Sequence, residues 1–113
     1  MATKATENET TTTSFEEGGV EYELVYPEKR IEMAEAALGN RSCVQVMGSY
    51  PTLRDLKVLA AYGLREVGQV AWVNPARAQA VIGDHIASAG MSAVMDLVGN
   101  ALMRDAGFLF QQG

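Results

Sequence analysis

The chain has 113 residues, 48% of them apolar and 20% charged, and a net charge of −5. That length fits one domain with a single modest core, and no apolar run approaches the ~18 to 20 residues that cross a bilayer. The basic residues are scattered, adjacent only at Lys29-Arg30, so no patch offsets phosphate repulsion and nucleic-acid binding is disfavoured.

Residues 1–10 are polar and Thr-rich, bury nothing that would offset ordering entropy, and are expected to be a disordered tail. The opening Met1-Ala2-Thr3-Lys4 lacks the apolar stretch of a secretion signal, which points to the cytoplasm. In "VEYELVY" the period becomes two: Val20, Tyr22, Leu24 and Tyr26 share one face while Glu21 and Glu23 point away. Gly18-Gly19 suits a tight two-residue turn, and Thr11, Thr13 and Phe15 alternate before it, so residues 11–26 read as a strand or hairpin.

Residues 27–113 read as helical. Pro27 and Glu28 suit a helix start, Ile31, Ala34 and Leu38 share a face with Met33 and Ala37 beside them, and Gly39 offers a stop. "RSCVQVMGS" is a short connection, either a helical turn or a strand. Thr52 with Asp55 resembles a capping box, after which Leu53, Leu56, Leu59, Ala60 and Leu64 keep helical spacing until Gly68. Asn74 and Pro75 open a further helix striped by Ala78, Val81, Ile82 and Ile86. From Ser92, the residues Val94, Leu97, Val98, Ala101 and Leu102 form the last stripe, ending near Gly107. The expected fold is α+β and mainly α: an N-terminal strand or hairpin followed by a small bundle of three to four helices, all one domain.

No catalytic, cofactor or metal site is expected. Cys43 is the only cysteine and His85 the only histidine, too few for a disulfide or a zinc set. Asp84 and His85 are adjacent, and on a helix neighbours point about 100° apart, so the carboxylate cannot orient the imidazole. His85 then reads as a histidine at the border of the apolar stripe with an ordinary polar contact. Glu28, Glu32 and Glu35 share a helix flank with Lys29 and Arg30 nearby, a solvated face rather than a cation site. Met33 and Met95 read as core fillers, Met91 and Met103 less so, and Met-rich helical surfaces also suit adaptable partner binding.

The order "YELVY", "RIEMAEAALG", "LRDLKVLAAYGLRE", "NPARAQAVIGDHI" and "MSAVMDLVGNALMRDAGF" resembles the tail assembly chaperones of long-tailed bacteriophages and gene-transfer particles, over residues 20–110. The resemblance implies a protein of the bacterial host cytoplasm that is not an enzyme, uses no cofactor, binds the tape measure protein during tail assembly and self-associates. The alternative is a structural head-tail or tail-completion protein of the virion. Members of the family are commonly made in two lengths by ribosomal frameshifting, and Gly107-Phe108-Leu109 can be encoded by GGT TTT TTA, which contains a slippery heptamer. The partner-binding residues expected are Met103, Phe108, Leu109 and Phe110, aromatic and aliphatic groups at a helix end.

Overall fold

Gly18 and Gly19, at φ of 62° and 83°, form the two-residue turn that the sequence predicts, since glycine takes consecutive left-handed angles without a Cβ clash. A computed structural model describes residues 12–110, the side chain of Phe110 excepted. The expected disorder of residues 1–10, and Thr11 as a strand residue, lie outside the described residues. Around the turn, β1 (Ser14–Glu17) pairs antiparallel with β2 (Val20–Leu24), placing Phe15 opposite Tyr22. The odd face of β1 and the even face of β2 look inward, and Phe15, Tyr22, Leu24 and Tyr26 are buried.

The first helix, α1 (Glu28–Ala37), buries Ile31 and Ala34 and hands Leu38 to the core before Gly39 turns the chain at φ 74°. Met33, expected in the core, lies on the surface instead: its position falls off the Ile31–Ala34–Leu38 stripe. The ambiguous connection is helical, α2 (Cys43–Gly48), capped by Ser42 accepting from the Gln45 N–H. It brings the α-helices among the described residues to five. Thr52 caps α3 (Leu53–Gly63) by accepting from the Asp55 N–H, but the capping box is not reciprocal, because the Asp55 carboxylate bonds Arg41 at 2.9 Å. Leu53, at the first position, is exposed.

The largest departure from the sequence reading is at Leu64. The helix expected to reach Gly68 stops at Gly63, and Leu64–Glu66 form β3, which pairs antiparallel with β2 in the register Leu24 opposite Leu64. Two features accompany this switch. Tyr26 lies across Gly63 so closely that a Cβ there would stand 2.5 Å from the ring Cζ. The open edge of β2 meanwhile offers backbone partners that a further helical turn would leave unpaired. The chain then returns along β3, with the Val73 N–H donating to Leu64 O and Trp72 bridging Arg65.

Asn74 caps α4 (Pro75–Ala89) with Pro75 at its first position, as expected, and Gly90 at φ 99° separates it from α5 (Met91–Asp105). The five residues of the α5 stripe are all buried. On α4 only Ala78 and Ile82 are; Val81, expected to be buried, is half-buried with Ile86 at the margin. A 3-10 turn, Gly107–Phe110, follows. The three strands run in the order β1-β2-β3, α3, α4 and α5 pack against β1 and β2 while α1 and α2 pack on α3, and the whole is α+β and mainly α. Among the described residues no helix is long and apolar enough to cross a membrane.

Candidate partner-binding surface

The end of α5 is held by charge. Asp105 Oδ2 accepts from the Tyr26 N–H at 2.8 Å, and Arg104 donates to Leu24 O and to Thr13 Oγ1, each at 2.7 Å. Arg104 also pairs with its neighbour Asp105 at 2.6 Å. Burial alone would raise the Asp105 carboxyl, but the Arg104 and Tyr26 hydrogen bonds and the nearby arginine charges outweigh it and hold it below the usual carboxylate range. With the helix end pinned, the 3.6-residue period turns Leu102 inward and Met103 outward, 57% exposed. Ala106 is buried and its carbonyl accepts from Leu109 N, which seats Leu109 against the core and leaves Phe108 57% exposed.

Of the four expected partner residues, Met103 and Phe108 are therefore presented to solvent and Leu109 is partly committed to the core. The Phe110 side chain lies outside the described residues. Met103 also borders a recess of about 510 Å³ with Thr13, Asn100 and Arg104. Elsewhere Val67 and Val70, the second 84% exposed, project from the tip of the loop after β3, and the apolar character of that loop was open to sequence reading.

His85 has the polar contact expected of it, from an unexpected source. Its Nδ1 lies 3.0 Å from Glu17 Oε1 and its ring stacks on Phe15 at 4.2 Å, while Asp84 is exposed. Ser88 Oγ donates to the same Glu17 oxygen at 3.2 Å. Histidine and serine thus share one carboxylate oxygen, rather than standing in the hydroxyl–imidazole–carboxylate series that activates a nucleophile. Among the described residues no three His, Cys, Asp or Glu side chains gather as a metal site would require. In the Glu28, Glu32, Glu35 row, the first two are solvated, but Glu35 caps the Cys43 N–H at 3.0 Å.

A second cationic cluster had no sequence signal. The Arg30 guanidinium lies 5.0 Å from the Trp72 ring centre and 5.5 Å from that of Tyr62, and Arg65 lies 5.2 Å from Trp72. Arg30 Nε donates to Tyr62 O, Trp72 Nε1 to Val25 O, and Arg65 pairs with Glu23 at 3.1 Å. These bonds staple α1, the end of α3 and the returning loop to the sheet. Burial lowers the Arg30 pKa from its ordinary value, with Tyr62 and Tyr26 acting the other way.

No family model matches the chain, and neither does any curated protein or solved structure.

Proposed function

We propose that the chain is a non-enzymatic tail assembly chaperone, which binds the tape measure protein in the bacterial cytoplasm during phage tail morphogenesis. The observation that carries this reading is the resemblance of residues 20–110 to that family. It is supported by the two large apolar side chains, Met103 and Phe108, that the pinned end of α5 presents to solvent. A long helical client exposes apolar surface that aggregates, and a small acidic partner that covers it also lends the complex like charge.

Co-expression with a tape measure protein from the same gene cluster is the test. The client is expected in the soluble fraction when this chain is present and in the pellet when it is not, and the chain is expected to be missing from purified tails. Stoichiometric presence in finished particles would replace the proposal with the structural head-tail or tail-completion role. Replacing Phe108 and Phe110 by Ser is expected to weaken client binding or self-association more than folding, read by pull-down beside a denaturation curve. A slippery heptamer at the Gly107–Leu109 codons, with an overlapping downstream frame, would add independent support.

A further inference from the structure

Among the described residues, the β1 edge of the sheet is uncovered at Ser14 and Glu16. Thr13, Phe15 and Glu17 turn their backbone groups toward β2, as the bond from Leu24 N to Thr13 O at 2.9 Å fixes, so Ser14 and Glu16 turn theirs outward by the alternation of an antiparallel ladder. Among the described residues those outward groups of Ser14 and Glu16 have no partner. The far edge differs, because there the returning chain bridges β3 at Arg65 and Trp72.

Beside the free edge runs an open cleft of about 520 Å³. Thr12 and Ser14 line one side, and Ala93, Asp96, Leu97 and Asn100 line the other, at the three- and four-residue spacings of a single stripe on α5, and Asn100 Nδ2 donating to Thr12 O at 2.9 Å closes the gap at that end. Phe15 and Leu97 make its floor apolar, with His85 at one end, stacked on Phe15. A strand edge facing a helix across a gap of this kind is the geometry in which an extended peptide is bound, its main chain joining the ladder and alternate side chains filling the gap.

The charges say which peptide. The cleft lining has one carboxylate, Asp96, and no lysine or arginine. The solvent face of the hairpin sets Glu16 directly across from Glu21, both exposed and without an ion pair among the described residues. Arg104, the cation that reaches β1, is tied to Asp105. An added strand would place alternate residues over Phe15 and Leu97 and the residues between them beside the glutamates. We propose that this cleft is a docking groove in which an extended segment of a partner protein, alternating aliphatic with lysine or arginine side chains, adds to the free edge of β1 as a fourth strand. A second copy of the chain fits less well, since β1 carries Glu16 and Glu17 and no cation, and would bring like charge to an acidic edge.

The groove is tested on the full chain by amide NMR, with the capped peptide Lys-Val-Lys-Val-Lys as probe and Glu-Val-Glu-Val-Glu as control. The expected result is saturable shifts centred on Ser14, Glu16 and Leu97, slowed hydrogen exchange at Ser14 and Glu16, and binding of the basic peptide at least about tenfold tighter than the acidic one. The double variant Glu21→Gln, Asp96→Asn keeps the backbone and is expected to weaken the basic peptide roughly fivefold. Ser14→Pro removes one outward N–H without breaking the ladder to β2 or the bond from Gly19 N to the Glu16 carboxylate, and is expected to cost at least about tenfold. Equal response to the two peptides, no response, or shifts confined to other surfaces would overturn the proposal. It would also fall if the Ser14 and Glu16 amides were already protected in the free protein and lost that protection on deleting residues 1–11, or on dilution, which would assign the groove to the chain's own N-terminal segment or to a second copy.

Discussion

At Gly63 the missing side chain is what lets the Tyr26 ring lie against the backbone. Alanine is the better helix former by about 1 kcal/mol, yet its methyl would meet the Tyr26 ring, and that ring is fixed by its hydroxyl donating to Leu59 O at 2.6 Å. Gly63→Ala is therefore expected to destabilise by about 1 to 3 kcal/mol in urea denaturation, against the helix-propensity trend. Tyr26→Phe is expected to cost about 1 kcal/mol by leaving the Leu59 carbonyl with one partner fewer. Cys43 makes a different prediction. Burial first, and then the Glu35 carboxylate beside it, push its thiol up to about 11, so almost no thiolate exists at neutral pH. Iodoacetamide at pH 8 is expected to leave Cys43 unmodified in the native protein and to label it fully in 6 M guanidinium, a difference that mass spectrometry reads directly.

Helices α3 and α5 carry the core, and the stripes read from their spacing are buried, apart from the exposed Leu53 and with Leu64 buried in β3 rather than on the helix. Leu56→Ala, Leu59→Ala and Leu102→Ala are each expected to cost roughly 2 to 5 kcal/mol, with Val98→Ala toward or below the lower end; Val81→Ala, at a half-buried position, is expected to cost clearly less. The hairpin was legible because period-two alternation and a Gly-Gly pair are local signals that agree with each other. β3 was not. Leu64 is apolar and buried under either assignment, and what selects the strand is the edge of β2, forty residues away in the register of Leu24 with Leu64. Much the same holds for the surface. Met103 and Phe108 could be picked out because they fall off the α5 stripe or beyond it. The carboxylate that meets His85 comes from a strand 68 residues earlier, and the ring that meets Arg30 comes from a loop beyond β3; no local pattern in the chain encodes either meeting.

For the molecule as a whole, pH acts from both sides. The Asp55 carboxyl, hydrogen-bonded by Arg41, and the Asp105 carboxyl, bonded by Arg104 and Tyr26, both sit below the carboxylate range of an unfolded chain. Their contribution is present above about pH 4 and is lost as pH falls through the lower folded values. Burial, helped by Cys43 and Asp105, raises the Tyr26 phenol above its ordinary value, so its contribution holds below about pH 10 and is lost as pH climbs beyond that. Thermal melts across pH are expected to show a plateau between these limits, and Asp105→Asn is expected to flatten the acid limb while lowering the plateau. The bond from Arg104 to Thr13 spans 91 residues, and that reach bears on how the protein is made. A ribosome delivers β1 and β2 well before the clamp that closes over them, so until α5 emerges the hairpin waits without its Arg104 and Asp105 contacts. Chains ending at Ala89 are expected to be digested within minutes by a protease that leaves residues 12–110 of the 113-residue chain intact, so that stable folding waits on the emergence of α5.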